Sequence, residues 1–387
     1  MSGQGEHVSV RDRTRDDLLG LIRSSGGTTR PELVAVTKMS RSTVNQAVGR
    51  LLDEGRVYET AQQEKGPGSG SGRPATRLVA TTSSSPVAGI DFGRNHVRVA
   101  VADERGVLLG QASRELDVDL RAFEALDLAA EMLAGIVRDS GLAAVGSVVA
   151  GIPGPLDART GRVRSPTILS SWVELAPRDE LQRRLGVPVR VENDAVLGAY
   201  GELRRGAGRG HANFLYVKAS HGIGAGLVIG GQPYMGATGI AGEIGHINLP
   251  GRIESCRCGN RGCLEAVISV ESLRDQIALT HPAWERSSID LSAEADEVTT
   301  RILNESGRTL GRVLAQLCDL LNPDALIVGG ELGALGAPLL EGVRSSISRY
   351  SQPAIAAAIT VSAAELGERA ELEGALELAS AWMPVDR

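Results

Sequence analysis

The chain has 387 residues, more than a single hydrophobic core usually holds, so its length predicts two or three domains. Hydrophobic residues make up 42% and charged residues 23% of the sequence, an ordinary balance for a globular protein. No apolar run approaches the roughly 18 residues that a membrane helix needs, and the first residues, MSGQGEHVSVRDRTRDD, are too polar for a secretory signal. We therefore expect a cytoplasmic protein that does not bind a membrane.

The net charge of −6 is unevenly distributed along the chain. Residues 1–80 contain 12 Lys and Arg and 9 Asp and Glu, a net charge of +3, whereas the remainder holds 29 basic and 38 acidic residues, a net charge of −9. A basic N-terminal region followed by an acidic body is typical of a nucleic-acid-binding module joined to a domain that does not itself bind nucleic acid.

Three short helices are predicted near the N-terminus. The segment RDDLLGLIRSSGG has apolar residues at helical spacing and ends in a Ser-Ser-Gly-Gly run. Thr28 or Thr29 can cap a second helix with Pro31 in its first turn, and Ser40 can cap a third helix that ends at Gly55. Three helices with a turn of three or four residues before the last are typical of a helix-turn-helix.

The third predicted helix has an exposed face of short polar, amide and Arg side chains. Side chains of this kind, near a helix N-terminus, reach base edges and phosphates in a DNA major groove. A solvated helix face without a DNA partner is the alternative interpretation. The candidate DNA-binding residues on this face are Arg41, Ser42, Thr43, Asn45, Gln46 and Arg50.

The segment RVYETAQQEKGPGSGSGRPATRLVAT predicts two β segments around a Gly- and Ser-rich tip, the shape of a wing. Arg73 at the tip could enter an adjacent minor groove, where Arg is favoured electrostatically. An unstructured linker without function is the alternative for this stretch. We therefore predict a winged helix-turn-helix DNA-binding domain over residues 1–80, followed by a polar linker, TTSSSP, over residues 81–86.

A different pattern begins at Val87 and continues through residues 87–387. VAGIDFGRNHVRVAVADERGVLLG predicts two or three adjoining strands, and a helix is predicted over residues 120–139. VGSVVAGIPGP, VPVRVEN, NFLYVKAS and GAGLVIGG predict further strands with helical stretches between them. This alternation indicates an α/β body.

Seven motifs occur in this body in the order DFGRNHVRVAVAD, GIPGPLD, VENDAVLGAYGE, GIGAGLVIGG, GIAGEIGHINL, CRCGNRGCLEA and LNPDALIVGGEL. In this order they resemble the ROK family (repressor, open reading frame, kinase), and the N-terminal winged helix is similar to the repressor branch of that family. The resemblance implies an actin-like, ribonuclease-H-like body, as in sugar kinases, with two α/β lobes around a sugar cleft.

Three of the chain's four cysteines lie within eight positions of the segment ESCRCGNRGCLE. In a cytoplasmic protein, clustered cysteines indicate metal ligands before disulfides. Cys256, Cys258 and Cys263 with His246, taken together with the family resemblance, predict a closed Cys₃His site for one structural Zn²⁺ per chain. Reduced thiols without metal, or a redox pair, are the alternatives, and Cys318 is predicted to be a core residue.

The family resemblance also implies a sugar site beside the metal loop. The matching histidine of family kinases contacts sugar with one ring nitrogen and zinc with the other, which would link the order of the loop to sugar occupancy. For Glu243 and Glu265, plain surface charge is the alternative. The segment SPTILSSW adds Ser170, Ser171 and Trp172 as candidates for effector selectivity. The implied sugar-binding residues are Asn193, Asp194, Glu243, His246 and Glu265.

The two turns that bind phosphate in family kinases are altered in this chain. Phosphoryl transfer needs a base, a Gly-rich turn near the phosphates and Mg²⁺, and Asp194 matches the base. The kinases carry Asp-x-Gly-Gly-Thr-Lys where this chain has DFGRNH at 91–96, and Gly-Thr-Gly-Ile-Gly where it has SHGIG at 220–224. We therefore predict a kinase-like fold with degenerate phosphate-binding turns, no catalytic residues and no enzymatic activity.

The combined prediction is a sugar-responsive DNA-binding transcriptional repressor of carbohydrate-metabolism genes. We expect a homodimer, possibly paired into a tetramer, on double-stranded operator DNA with an inverted repeat, because a two-fold dimer presents two equivalent recognition helices. One alternative is a bifunctional DNA-binding, ATP-dependent sugar kinase. Another is a regulator controlled by a protein partner rather than a small molecule.

Overall fold

The computed structural model describes residues 10–25, 27–53, 56–61, 76–80, 85–157, 160–163, 170–173, 175–286, 289–291 and 296–382. The chain divides into two compact units, Met1–Ser84 and Ser85–Arg387. Within the described ranges, no helix combines the length and the apolar character that crossing a lipid bilayer requires.

The N-terminal unit packs three helices against a small sheet. Its elements are α1 (Val10–Ser24), β1 (Thr28–Thr29), α2 (Arg30–Thr37), α3 (Arg41–Asp53), β2 (Val57–Ala61) and β3 (Thr76–Ala80). The strands are antiparallel in the order β1-β3-β2. Leu18, Ile22, Val48, Leu51 and Leu78 are fully buried between the helices and β3. This is the architecture of a winged helix-turn-helix.

The helix boundaries of this unit follow from local capping. Thr29 and Glu32 form a reciprocal capping box at the start of α2, with the Thr29 amide donating to Glu32 Oε2 at 2.8 Å. Lys38, with φ 55° in the left-handed region, ends α2 and starts the turn to α3. The Thr43 amide donates to Ser40 Oγ at 3.1 Å. The predicted caps Thr29 and Ser40 are confirmed.

The first lobe of the C-terminal unit is built on a sheet with the strand order β6-β5-β4-β7-β8. Its strands are β4 (Val87–Phe92), β5 (His96–Ala102), β6 (Leu108–Glu115), β7 (Ser147–Ile152) and β8 (Val189–Asn193). The helices in this part of the chain are α4 (Ala122–Asp139), α5 (Pro177–Leu185) and α6 (Asp194–Arg205). The helix predicted over residues 120–139 therefore begins two residues later than expected.

The second lobe is built on a sheet with the strand order β11-β10-β9-β12-β13. Its strands are β9 (Phe214–Ala219), β10 (Ile223–Ile229), β11 (Gln232–Tyr234), β12 (Ala325–Gly329) and β13 (Thr360–Ala363). The remaining helices are α7 (Leu264–Ile268), α8 (Val270–Thr280), α9 (Glu297–Leu321), α10 (Gly330–Gly333), α11 (Ala337–Tyr350), α12 (Pro353–Ala358) and α13 (Ala370–Ala381).

The two sheets repeat one pattern of pairing. In the first, β4, β5 and β6 are antiparallel neighbours, while β7 and β8 extend the sheet in parallel from β4. In the second, β9, β10 and β11 are antiparallel, while β12 and β13 extend it in parallel from β9. The predicted two-lobed α/β body is confirmed, and it is a structural duplication that the sequence does not show as a repeat.

Helices α6 and α13 cross between the two lobes. α6 follows β8 of the first sheet and packs on β10 of the second, and α13 follows the second sheet and packs on β4 of the first. At their crossing, a Cβ on Gly201 would lie 2.3 Å from the Ala370 carbonyl oxygen, and one on Gly374 would lie 1.9 Å from that of Leu197. Only glycine allows the two backbones to approach this closely.

Candidate metal centre and ligand cleft

The N-terminal unit presents the polar face of α3 to solvent. The side chains that pack inward from this helix are Val44, Ala47, Val48 and Leu51. Five of the six candidate DNA-binding residues on α3 are exposed and Arg50 is half-buried. The exposed residues are Arg41, Ser42, Thr43, Asn45 and Gln46.

Some predicted residues lie outside the described part of the chain. Arg73 and the rest of the predicted wing tip fall within residues 62–75. The segment 164–169, which precedes the candidate selectivity residues Ser170 and Ser171, is also outside it.

The cysteine loop is a compact structure between β11 and α7. Isolated antiparallel bridges pair Asn248 with Cys263 and Ser255 with Arg261. Gly262 has φ 69°, and a Cβ there would lie 2.5 Å from the Arg252 carbonyl oxygen, so the loop requires glycine at this position. Cys263 then caps α7, so the loop leads directly into a helix.

The loop brings the four predicted metal ligands together. One ligand atom from each of His246, Cys256, Cys258 and Cys263 lies within 4.8 Å of all the others. Cys258 Sγ is 3.7 Å from Cys263 Sγ, and Cys256 Sγ is 3.6 Å from His246 Nδ1. Sulfur ligands about 2.3 Å from a central ion at tetrahedral angles lie about 3.8 Å apart. The cluster therefore has the dimensions of a tetrahedral metal site and could hold one metal ion.

His246 lies between this cluster and the cleft. It belongs to the short 3-10 turn Ile244–His246. Its Nδ1 faces the Cys256 sulfur, whereas its Nε2 is 3.8 Å from Glu243 Oε2. The two ring nitrogens thus face different groups, so the imidazole connects the cysteine loop to a cleft carboxylate.

A cavity of about 360 Å³ lies between the two lobes. All five predicted sugar-binding residues line it, although the first and the last of them lie 72 residues apart in the sequence. Asn193 caps α6 by accepting from the Val196 amide at 3.2 Å, and its Nδ2 donates to the Gly154 carbonyl at 3.1 Å. The residues brought together are Asn193, Asp194, Glu243, His246 and Glu265.

The two glutamates in the cavity are in an environment that disfavours charge. Burial, with Asp194 and Glu265 nearby, raises the pKa of Glu243 to about 7. Burial also raises the pKa of Glu265, whose Oε2 accepts from the Ile223 amide at 3.1 Å. Neither side chain is an ordinary surface charge, which was the alternative for both.

Sequence reasoning missed Lys218 at the floor of the cavity. Its Nζ donates to Asp194 Oδ2 at 2.8 Å and lies 3.6 Å from Glu371 Oε1. Burial alone would lower the pKa of Lys218, but Asp194, Glu371 and Asp91 raise it above its ordinary value. Because Asp194 Oδ1 accepts from the Ala195 amide, both oxygens of Asp194 are engaged. The available signal was one lysine in the otherwise apolar strand FLYVKA.

Side chains of the two altered turns are paired with carboxylates. A Cβ on Gly93 would lie 2.2 Å from His96 Cε1, so the His96 ring covers that turn, and its Nε2 is 3.1 Å from Asp91 Oδ2. Arg94 NH1 donates to Glu271 Oε1 at 2.9 Å, and His221 Nδ1 lies 2.8 Å from the same oxygen. The side chains of both turns therefore meet on one carboxylate from α8.

Arg257 joins the cysteine loop to the opposite lobe. It lies between two of the cysteines and forms an ion pair with Asp119, in the segment between β6 and α4. Asp119 Oδ1 also accepts from the Ser170 amide at 2.8 Å. Trp172, two residues after Ser170, is fully buried, and its Nε1 donates to the Val118 carbonyl at 2.7 Å. The prediction of Trp172 as a selectivity residue is wrong, because its indole is part of the core.

Duplicated sheets, a cleft between two lobes and a Cys₃His cluster at its rim define an actin-like, sugar-kinase-like body, here joined to a winged helix. The chain belongs to the ROK family, whose model matches residues 87–381. A winged helix-turn-helix DNA-binding model matches residues 11–58. The family and the repressor-like domain arrangement expected from the motifs are confirmed.

Named relatives include both regulators and kinases. The chain is 30% identical over 340 residues to the xylose repressor of Bacillus subtilis (strain 168), with 87% of each chain covered. A ROK family glucokinase from Streptomyces griseus, solved with glucose and AMPPNP, has 30% identity and a TM-score of 0.67, covering 76% of this chain and 99% of the kinase. A ROK family transcriptional regulator described as a homolog of the E. coli MLC protein superposes with a TM-score of 0.72 at 24% identity, covering 96% and 97%, which shows the shared fold.

Proposed function

We propose that this protein is a cytoplasmic, sugar-responsive DNA-binding repressor of carbohydrate-metabolism genes. The observation that carries the proposal is the arrangement of the cleft. Carboxylates and an imidazole line one side, and on the other side Arg94 and His221, from the two altered turns, are both paired with Glu271. Joined to a winged helix-turn-helix, such a cleft can bind a sugar without turning it over. The similarity to the xylose repressor along most of both chains supports the same function.

One Zn²⁺ per chain is the proposed occupant of the cysteine loop. Three thiolates and an imidazole form the donor set of closed structural zinc sites, and the spacing of the sulfur atoms agrees with tetrahedral geometry. Zinc would hold the loop in shape and fix the tautomer of His246. Its Nε2 would then be available to a ligand in the cleft, which makes sugar affinity depend on an ordered loop.

The proposed sugar ligands hold hydroxyl groups by hydrogen bonds. Glu243 and Glu265 can accept from hydroxyls, and His246 Nε2 can exchange a hydrogen bond with one of them. Asn193 and Asp194 come from the segment that begins α6, the helix that crosses between the lobes. A sugar bound to all five residues would therefore contact the second lobe and the crossing helix at the same time.

Closure of the lobes is the proposed route from sugar to DNA. The Arg257–Asp119 ion pair already joins the metal loop to the first lobe, and α6 and α13 provide the crossing about which the lobes can rotate. In a homodimer, or a tetramer formed from two dimers, such rotation changes the spacing of paired recognition helices. Operator half-sites are spaced by whole helical turns, so a change in spacing alters affinity for an inverted repeat.

Base and backbone contacts are assigned to the exposed face of α3. The amides of Asn45 and Gln46 suit bidentate contact with adenine, and Arg41 and Arg50 suit guanine or phosphate. Ser42 and Thr43 can donate to phosphates near the helix N-terminus. Arg73 is proposed to enter the minor groove beside the wing.

A bifunctional DNA-binding sugar kinase is the second candidate. The glucokinase relative and the presence of Asp194 at the position of the family's base favour it. Against it, Asp194 is engaged by Lys218, and Arg94 and His221 stand in the two altered turns with both side chains paired to Glu271. We therefore propose that the protein has no kinase activity.

The test is fluorescence anisotropy of the purified protein against tiled DNA from upstream of its own gene, with and without a panel of sugars. Salt is held constant, because phosphate contacts make DNA affinity steeply dependent on ionic strength. We expect one fragment to bind specifically and one sugar to change that affinity without ATP. Sugar-dependent ADP formation would instead establish the kinase.

A regulator controlled by a protein partner predicts a different result. In that case no sugar would raise the melting temperature, since any ligand that binds the native state stabilises it. Specific DNA binding together with an unchanged melting temperature across the panel would favour the partner-controlled regulator.

A further inference from the structure

The basic side chains of the two altered turns, at residues 91–96 and 220–224, are already paired with carboxylates. Arg94 and His221 share Glu271 Oε1, and His221 Nε2 is also 3.7 Å from Glu331 Oε2. A phosphate group that binds Arg94 NH1 or His221 Nδ1 here would have to displace Glu271 from that atom. The charge-assisted hydrogen bonds lost in that displacement are the stronger kind, so the new contacts gain little over the old ones.

The basic side chains at the floor of the cleft are also paired with carboxylates. Lys218 is held by Asp194 and Glu371, and His96 is held by Asp91. Among the described residues, Asp91 Oδ1 is a buried acceptor without a hydrogen-bond partner. The floor therefore has a surplus of acceptors, which suits a donor group and repels an anion.

The remaining Arg side chains of the lining are paired across the cleft. Arg98 NH2 donates to Glu368 Oε2 at 2.7 Å and its NH1 to the Glu368 carbonyl at 2.6 Å. Arg257 is held by Asp119. Arg98 already uses both terminal nitrogens on Glu368, and Arg257 uses NH2 on Asp119, so a phosphate would have to compete with these acceptors for a bidentate pair.

The overall charge of the residues that line the cavity also disfavours an anionic ligand. The described residues that line the cavity include nine carboxylate side chains and four Lys or Arg side chains. Without Glu243, Glu265 and Glu371, whose burial disfavours charge, six carboxylates still outnumber the four cations. A dianionic phosphate ester would enter an already negative, partly enclosed space, where electrostatic repulsion is stronger than in bulk water. Sugar hydroxyls have no net charge and can donate to the surplus carboxylate oxygens.

From these pairings we infer that the effector is an uncharged sugar and that phosphosugars and nucleotides are excluded by the cleft's own ion pairs. The inference rests on the proposed function, because it names the chemical class of the effector of that same site. A cavity of about 360 Å³ is within the usual range for small-molecule sites.

The experiment is a titration of the full-length, zinc-loaded protein with matched pairs of ligands. The pairs are glucose and glucose 6-phosphate, N-acetylglucosamine and its 6-phosphate, and xylose and xylose 1-phosphate. Calorimetry measures binding, and anisotropy measures the change in DNA affinity. We expect one uncharged sugar to bind and to alter DNA affinity, with its phosphorylated counterpart at least about tenfold weaker.

The other outcomes separate the two proposals. A phosphosugar that binds more tightly than its uncharged counterpart and shifts DNA affinity overturns the inference and leaves the sugar-responsive repressor standing. If no member of any pair binds, the sugar response itself fails, and the inference fails with it.

Glu271→Gln tests the physical cause of exclusion. It keeps the shape of the side chain and removes the charge that holds Arg94 and His221, so affinity for the phosphorylated member should rise by about tenfold relative to the uncharged one. Asp275→Asn is the matched control, since Asp275 lies on the same helix and pairs with Arg286 outside the cavity. Equal selectivity in Glu271→Gln and in the unaltered protein would show that this pairing does not exclude phosphate.

Discussion

The two units of the chain carry their functional side chains in different ways. In the N-terminal unit, the candidate DNA-binding residues follow one another on a single exposed helix, α3, whose inward face packs the core. In the C-terminal unit, the cleft collects side chains from β4 to α13, and most of its charged groups are paired with groups far away in sequence. Substitutions on the exposed face of α3 should therefore act independently of one another. A substitution in the cleft should also affect the residues with which the substituted side chain is paired.

A substitution in the cysteine loop should have the largest effect, because its three thiols and His246 would bind the metal ion as one set. In Cys258→Ser the tetrahedral set loses a thiolate, so we expect loss of bound zinc, a strongly destabilised body and no sugar response. Structural zinc sites contribute roughly 10–16 kcal/mol of apparent binding free energy in zinc-finger peptides. Zinc content, chemical unfolding and sugar titration measure the three losses, and DNA binding by the N-terminal unit should persist.

Cys318→Ala is the control for the metal loop. Cys318 is buried in α9, outside the cluster, so this variant should keep one zinc per chain and its response to sugar. A Cys258→Ser protein with normal sugar affinity and no metal would remove zinc from the mechanism.

Lys218→Met should produce the next largest effect. Removing one partner of a buried ion pair leaves Asp194 and Glu371 without their cation, which typically costs about 3–5 kcal/mol of unfolding free energy. Burial already raises the pKa of Glu371, and losing Lys218 raises that pKa further. In the variant, buried Glu371 destabilises the folded protein least when it is protonated. The loss of unfolding free energy should therefore grow as the pH rises through the folded-state pKa of Glu371.

Denaturant unfolding at several pH values measures this dependence. The double variant Lys218→Met with Asp194→Asn removes one of the unpaired charges and should recover part of the lost stability. A loss that is independent of pH and unchanged in the double variant would contradict the buried-charge explanation.

Asn45→Ala or Gln46→Ala should affect only the N-terminal unit. Each lost bidentate base contact costs about 1–3 kcal/mol of discrimination, measured as the ratio of specific to non-specific DNA affinity. Sugar affinity should not change. Asp53→Ala, at the opposite end of α3, is the matched control. Equal loss on specific and random DNA would reassign these side chains to backbone contacts.

Thr29→Ala should show the smallest effect. It removes the cap of α2, which is worth about 1 kcal/mol, and hydrogen exchange of the α2 amides in the full chain measures it. Hydrogen bonds from the Thr29 amide and the Thr28 hydroxyl lower the pKa of Glu32. Ionised Glu32 therefore stabilises the start of α2 fully above the unfolded-state pKa of 4.5. This stabilisation is lost as the pH falls through the lower pKa of the folded state, so α2 should loosen in acid.

Thr309→Ala, on α9 of the other unit, controls for the effect of a threonine deletion as such. It should leave the α2 amides unchanged. If both substitutions alter exchange in α2 equally, the two units are not independent in stability.

Contiguous patterns in the sequence accounted for most of the fold. The caps Thr29 and Ser40, the strands of the first lobe, β9 and β10 of the second lobe and the spacing of the cysteines are local properties, set by backbone preference and by short loops. The members of the Cys₃His cluster could be named because three of them lie on one loop. Trp172 was misjudged, because its position in a polar segment conceals that the indole packs on Phe92.

The sequence alone determined that a winged helix precedes a ROK body, which residues offer thiolates, and which side chains face outward from α3. Only the tertiary structure decided how the charges of the cleft are satisfied. Lys218 meets Glu371, Arg94 meets Glu271, and Arg257 meets Asp119 across separations of 138 to 177 residues. The physical reason is that an ion pair depends on distance and burial in space, neither of which is encoded by spacing along the chain.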